Sequence, residues 1–198
     1  MHWCRMPSRP PSSVDENSED DTMSPILRFI ADTLLSLVLY AFLLRLMMQW
    51  ARANFRNPIA EAILRLTNWL ILPLRRLLPP IGRIDTASVV AVGLATLLKT
   101  GVLGALWSGM WPALLPWLQV AALEALRSLL WLYFWGIFVY ALASMIAPGV
   151  RSPLQELLGS LCEPILERIS RAMPSMAGLD LSPLWAGLIL QVLLMLIG

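Results

Sequence analysis

The sequence of 198 residues is poor in the residue types that most enzymes and metal sites use. It has one histidine, His2, two cysteines, and one lysine, Lys99. His2 and Cys4 lie in a polar N-terminal stretch, far along the chain from Cys162. A body without histidine argues against zinc sites, Ser-His triads and histidine-ligated haem. With no serine motif or carboxylate pair at catalytic spacing either, the sequence predicts no enzyme, no metal site and no bound cofactor.

Charge is scarce as well. Charged residues make up 14% of the chain and hydrophobic residues 58%, and the mean hydropathy is +0.68. A soluble domain of this size carries more charge. Because the excess apolar surface must face something other than water, lipid is the natural partner. Four apolar segments approach the roughly 20 residues that a membrane helix needs: 26–48, 86–107, 121–146 and 181–197.

The N-terminal stretch has a different character. Residues 1–25 are rich in proline, serine and acidic side chains, and they predict a disordered acidic tail. The composition changes near Met23, which leaves open whether the true start is Met23 and residues 1–22 are a start-site artefact.

The chain contains an internal repeat. Shifted by 95 residues, the two halves align without a gap in their least hydrophobic parts, where chance agreement of leucines cannot explain the matches. We therefore predict an all-α membrane protein of four transmembrane helices, built as two parallel two-helix repeats, 26–108 and 121–198, with a short outer link at 109–120. The matching pairs are Arg56 and Arg151, Pro58 and Pro153, Glu61 and Glu156, Pro79 and Pro174, and Asp85 and Asp180.

Each repeat has a connecting segment with polar residues at helical spacing. This pattern predicts an amphipathic helix that lies on the cytoplasmic membrane surface; packing against the protein's own core is the alternative. Pro73 and Pro164 should kink or end these helices. The polar residues are Glu61, Arg65, Asn68 and Arg75 in the first segment, and Glu156, Ser160, Glu163, Glu167 and Ser170 in the second.

Arginine sets the predicted orientation. Both connecting segments carry arginines, whereas the link at 109–120 has no charge, so the positive-inside rule places both connections in the cytoplasm and both termini outside. The same arginines are candidates for contacts with anionic lipid headgroups or a cytoplasmic partner, although topology control alone would also explain them. Nucleic acid is a weaker option, because the patch is short and no binding fold is present. The candidate contacts are Arg65, Arg75, Arg76, Arg83 and Arg171.

Charged residues inside the apolar segments form a second candidate site. Asp32 and Lys99 fall at similar depths in the outer third of the membrane, so we expect them to approach each other. Glu124 and Arg127 lie at the same level, and Arg127 is the repeat equivalent of Asp32. This polar cluster could line an ion path, or it could be a structural charge network. Asp85 and Asp180 each precede an apolar segment and are predicted N-caps.

The connecting segments resemble the YggT family of small bacterial membrane proteins, whose relatives also occur in chloroplasts. The resemblance rests on Asn-Pro, Pro-x-Arg-Arg-x-x-Pro and Gly-x-Ile-Asp elements, read here as NPIAEAILRLTNWLILPLRRLLPPIGRID and SPLQELLGSLCEPILERISRAMPSMAGLD. The second copy departs from the pattern at Ser170, which stands opposite Arg75. The motif positions expected to be structural are Asn57, Pro58, Pro79, Asp85, Pro153, Pro174 and Asp180.

The resemblance implies a bacterial inner-membrane location and no catalytic chemistry. Bacterial members are linked to osmotic tolerance and ion homeostasis, and plastid relatives to cytochrome complex assembly. We therefore expect a non-enzymatic membrane scaffold or assembly factor for osmotic stress tolerance or envelope integrity, with anionic lipids and either further copies or other membrane proteins as partners. The alternative is a small ion transporter or channel component that uses the polar cluster.

Overall fold

The structure, a computed structural model, describes residues 16–51, 57–77, 85–108, 113–146, 152–172 and 182–197. Over these ranges the chain is all-helical and has no strand. The helices are α1 (Glu16–Ala51), α2 (Pro58–Leu77), α3 (Thr86–Ser108), α4 (Leu114–Ile146), α5 (Pro153–Ala172) and α6 (Ser182–Ile197).

Among the described residues, three helices are long and apolar enough to cross a membrane. They contain the stretches Pro25–Ala51, Thr86–Trp107 and Leu114–Ile146, which include the first three predicted segments. The fourth segment forms α6, which is apolar but only 16 residues long. At 1.5 Å per residue it extends about 24 Å, less than the roughly 30 Å of a typical hydrocarbon core.

The starts of α2 and α5 follow from local capping chemistry. Asn57 Oδ1 accepts a hydrogen bond from the Ile59 amide (2.9 Å), and Ser152 Oγ accepts one from the Gln155 amide (3.2 Å). In both helices the next residue is proline. A backbone N–H at this first helical position has no intrahelical acceptor, so proline, which lacks that N–H, is tolerated there. Gln155 Oε1 also accepts from the Ser152 amide at 3.4 Å, which completes a reciprocal capping box.

The two short helices have matching bounds. α2 covers 58–77 and α5 covers 153–172, the same span moved by the 95 residues of the sequence repeat. The preceding long helices end at equivalent positions too, Ala51 and Ile146. The capped starts also touch, because the Asn57 side-chain amide donates to the Pro153 carbonyl at 2.6 Å.

Two clusters of buried side chains hold the helices together. One joins α1, α2 and α3 around Leu39, Leu43, Ile71 and Ala91. The other joins α1 and α2 to α4, α5 and α6 around Met48, Ile137, Leu161, Cys162 and Ala186. Since α1 contributes to both, it connects the halves of the chain.

α2 thus packs one face on the protein's own core, which is the alternative that the sequence left open. Its opposite face remains exposed and includes large apolar side chains, Leu66, Trp69 and Leu72. Such a surface suits a lipid boundary or a protein partner.

Two helices begin earlier in the chain than the apolar segments that they contain. α1 begins at Glu16, inside the stretch 1–25 predicted to be disordered. Residues 1–15 lie outside the described residues. α4 begins at Leu114, so part of the predicted link 109–120 is helical; Pro116 falls in the first turn, where its missing N–H costs little.

Neither internal proline ends its helix. α2 continues past Pro73 to Leu77, and α5 continues past Pro164 to Ala172. Packing of the following turn offsets the hydrogen bond that proline removes, since Leu74 and Ile165 both pack against the buried clusters.

Candidate functional site

The most densely bonded polar group of the described residues surrounds Asp85, at the start of α3. Its Oδ2 accepts hydrogen bonds from Arg75 Nε (2.9 Å) and Nη2 (2.6 Å), Ser88 Oγ (3.1 Å) and Gln49 Nε2 (3.3 Å). These four residues, which we call the Asp85 network, link α1, α2 and α3. A charge-assisted fork of this kind is stronger than neutral hydrogen bonds and fixes its partners in orientation.

Asp85 therefore bonds to other helices in addition to occupying the predicted N-cap position. It does occupy the position before α3, and its carbonyl accepts from the Val89 amide at 3.2 Å. Its carboxylate, however, is engaged by side chains of three helices, and Oδ1 is buried without a hydrogen-bond partner among the described residues. These contacts form because α2 folds back far enough to bring the Arg75 guanidinium to the N-terminus of α3.

Electrostatics favour the ionised form of Asp85. Burial by itself would raise the pKa of this carboxyl, but hydrogen bonds from Arg75, Ser88 and Gln49, together with the Arg75 charge, hold the pKa below its ordinary 3.8. The carboxylate is therefore charged at neutral pH. Arg75 is 47% exposed and Asp85 only 8%, so the ion pair has one end in the protein and one at its surface.

Arg45 lies beside this network and is almost fully buried, at 2% exposure. Its Nη1 donates to Thr67 Oγ1 and Asn68 Oδ1, both at 2.8 Å, and more weakly to the Leu64 carbonyl at 3.4 Å. None of these acceptors is a carboxylate. Arg45 thus pins the last third of α1 to the middle of α2 through neutral groups, with its charge buried near Asp85.

The second polar group lies about 21 Å farther along α3. Lys99 Nζ is 2.5 Å from Glu124 Oε1 on α4 and 3.4 Å from Asp32 Oδ1 on α1. The predicted approach of Asp32 and Lys99 is confirmed, and Glu124 is the nearer partner. We call these three residues the Lys99 cluster; it connects the three long helices. Lys99 is 12% exposed, Glu124 24% and Asp32 51%.

Arg127 was predicted to belong to this cluster but does not. It is exposed, and among the described residues its guanidinium forms no ion pair. The reason is helical rotation: Glu124 and Arg127 are three residues apart, about 300° around the axis, and only Glu124 is turned toward α3.

The remaining predicted arginines differ in their surroundings. Arg65 pairs with Glu61 at 2.7 Å and Arg171 with Glu167 at 3.4 Å, but both are exposed i, i+4 pairs of small energetic value. Arg76 is exposed. Ser170, the equivalent of Arg75, donates to the Glu167 carbonyl at 3.3 Å and cannot form an ion pair. The predicted positions that lie outside the described residues are Pro79, Arg83, Pro174 and Asp180.

Sequence reasoning did not assign roles to Arg45 and Gln49. Both interrupt an apolar run, four residues apart on one face of α1, and an ionisable residue in such a run is by itself a signal for a polar partner. Their targets on α2 and α3 could not be read from that spacing.

A comparison with known proteins agrees with the repeated pattern. A family model described as CCB3/YggT matches twice, over residues 23–106 and 119–198. No solved structure matches the chain.

Relatives in several bacteria cover most of the chain. One, "Uncharacterized protein YggT" of Escherichia coli K12, is 35% identical over 168 residues, which cover 84% of this chain and 86% of that protein. "Uncharacterized protein PA0392" of Pseudomonas aeruginosa PAO1 is 35% identical over 176 residues, 85% of this chain and 86% of the relative. A protein of Vibrio alginolyticus is also 35% identical, over 80% of this chain and 85% of its own length. With two matched segments and relatives of nearly equal extent, the chain belongs to the CCB3/YggT family.

Proposed function

We propose that this protein is a non-enzymatic scaffold or assembly factor of the bacterial inner membrane, with a role in osmotic stress tolerance or envelope integrity. The observation that carries the proposal is that the buried polar side chains bond one helix to another. Arg45, Asp85 and Lys99 bond to neighbouring helices rather than converging on a cavity. They hold helices in place, which is what a scaffold requires.

The cavities support the same proposal. One, of about 290 Å³, lies between α1, α3 and α4 and is lined by Met47, Trp50, Val89 and Leu129 among others. Another, of about 270 Å³, lies beside α5 and is lined by Leu157, Leu161 and further apolar residues. Most residues that line the two cavities are apolar, with Gln49, Tyr133 and Cys162 as the polar exceptions. Walls of this kind suit acyl chains or the side chains of a partner helix.

The single described cysteine also fits a non-enzymatic role. Burial, with the nearby Glu163 charge, raises the pKa of the Cys162 thiol to about 12. The thiol is therefore protonated at physiological pH, and only the thiolate is a competent nucleophile.

The proposed topology has four membrane helices, α1, α3, α4 and α6, arranged as two parallel repeats. α2 and α5 lie at the cytoplasmic interface, and both termini are outside. Support comes from the arginines near α2 and α5, from the exposed apolar faces of the long helices, and from the equal spacing of helix ends in the two halves. The short α6 is accommodated by local thinning of the bilayer or by flanking apolar residues.

A second candidate function is ion transport. The observation that favours it is the Lys99 cluster, in which one lysine is shared by two carboxylates within apolar helices. Ionisable groups in such positions often mark proton or ion paths. Four helices are few for a pore, so transport would require an oligomer.

Flux measurements distinguish the two functions. We expect purified wild-type protein in liposomes to carry no Na⁺, K⁺ or H⁺ flux above empty liposomes, while the same gene restores growth at high osmolarity to a bacterium that lacks its own copy. Lys99→Ala is the informative variant, and Arg65→Ala, which removes an exposed charge, is the matched control. Wild-type flux that Lys99→Ala abolishes and Arg65→Ala retains would replace the scaffold with the transporter. Absence of both flux and growth rescue would refute the osmotic role.

A further inference from the structure

The Lys99 cluster is short of one positive charge. It holds two carboxylates, Asp32 and Glu124, and one cation, Lys99. Lys99 lies closer to Glu124, at 2.5 Å, than to Asp32, at 3.4 Å. Asp32 also has the more exposed side chain of the two acids, at 51%. Asp32 is therefore the acid with unused capacity for a cation, and it faces the outside of the helix bundle.

An exposed cation lies one turn along α4 from Glu124. Arg127, on α4, is exposed and has no ion pair among the described residues. The nearest other cation along α1 is Arg28, one turn before Asp32, and its guanidinium lies over the Trp107 ring at 5.1 Å. Arg28 is thus engaged by an aromatic face, whereas Arg127 is not engaged by any described acid.

Asp32 and Arg127 lie at equal distances from the ends of their helices. Each precedes the last residue of its helix, Ala51 or Ile146, by the same number of residues, about 28 Å along the axis. In the parallel orientation proposed above, on which this inference rests, the two side chains are at the same depth in the membrane. Two molecules that stand side by side in one bilayer can therefore bring them together without any vertical shift.

We infer that a second copy of this chain covers this surface, with Asp32 of each copy paired to Arg127 of the other. A two-fold axis normal to the membrane makes both pairs at once, since an isologous interface is self-complementary. An unpaired charge at this level of the bilayer is unfavourable, and the pairing neutralises both groups. The flanking side chains Phe29, Leu123 and Leu126 are apolar and exposed, so they can pack around the paired charges.

Charge exchange between chains provides the test. Donor- and acceptor-labelled copies are reconstituted at low density in liposomes, and association is measured by energy transfer. We expect Asp32→Arg alone, or Arg127→Asp alone, to weaken association about tenfold, because like charges then face each other across both contacts. Mixing the two variants should restore wild-type transfer, since each mixed pair again has two oppositely charged contacts.

The mixture separates this inference from a folding defect. Asp32→Arg also disturbs Lys99 within its own chain, and that disturbance is the same with either partner, so only contact between copies can produce rescue. The inference would be refuted if wild-type protein gave no more energy transfer than a monomeric membrane protein. It would also be refuted if the single variants and their mixture gave equal energy transfer, which is the result expected if Arg127 instead snorkels to lipid headgroups. Because flux and growth do not enter the readout, failure here leaves the scaffold proposal to its own test.

A cross-linking measurement locates the contact. In a background of Cys4→Ser and Cys162→Ala, chains that carry Asp32→Cys and chains that carry Arg127→Cys should form a disulfide with each other on mild oxidation. Val192→Cys, at a comparably exposed position on α6, is the control and should give little cross-link with either. Equal cross-linking of the control would indicate random collision and overturn the assignment of the surface.

Discussion

Asp85→Asn is expected to lower the free energy of unfolding by about 2–3 kcal/mol at pH 7, the magnitude typical for breaking a largely buried charge pair that keeps one end near solvent. The amide has nearly the same shape as the carboxylate, so packing is retained. The loss comes from the charge: Arg75 and the buried Arg45 then lack their nearest anion. Equilibrium unfolding in mixed micelles with increasing SDS measures the difference.

The pH dependence of this effect follows from the lowered pKa of Asp85. The folded carboxyl binds its proton less readily than the unfolded one, whose ordinary pKa is 3.8. Its stabilisation is therefore fully present above that value and disappears as the pH falls through the folded pKa. Wild type and Asp85→Asn should differ fully at pH 7 and converge in strong acid.

Two controls separate the ion pair from general damage. Glu61→Gln removes a charge from an exposed pair with Arg65 and should change stability by no more than about 0.5 kcal/mol. In an Arg75→Met background, Asp85→Asn should cost less than in wild type, since the main partner is already gone. Equal losses in both backgrounds would show that Arg75 and Asp85 do not stabilise each other.

Lys99→Met should be at least as destabilising, by about 3 kcal/mol. Methionine replaces the apolar stem of the lysine side chain but not its ammonium group, so Glu124 and Asp32 are left without their cation. Removing one member of a largely buried ion pair lowers the free energy of unfolding by more than the intact pair adds to it, because the remaining charge stays shielded from water without a partner. The same unfolding measurement applies, and Leu98→Met, one residue away at an exposed position, is the matched control.

A second substitution identifies the source of that loss. Glu124→Gln in the Lys99→Met background removes the stranded charge and should recover a substantial part of the stability, whereas Glu124→Gln alone should destabilise. If the double variant were as unstable as the sum of the two single variants, the charges would act independently and the Lys99 cluster would not be a unit.

Much of the helical layout could be predicted because it depends on local pattern. The apolar runs predicted the long helices. The sequence repeat, offset by 95 residues, predicted that α2 and α5 would be equivalent, and their bounds differ by that same offset. The contact of Asp32 with Lys99 was also predictable, since two ionisable residues at one depth in apolar helices need each other. Family membership followed from the connecting motifs. Helix ends were less predictable, because the beginning of α1 and α4 depends on marginal preferences of a few residues.

Other features were decided by the tertiary structure alone. The rotation of each helix about its axis sets whether a side chain faces a neighbour, so Glu124 is turned toward Lys99 on α3, while Arg127, one turn away, is exposed. The fold-back of α2 decides that Arg75 meets Asp85 and that Arg45 meets Thr67. Sequence spacing determined which residues could share a face of one helix. Which helix that face meets is a property of packing between distant segments, and it follows from how their buried side chains fit together.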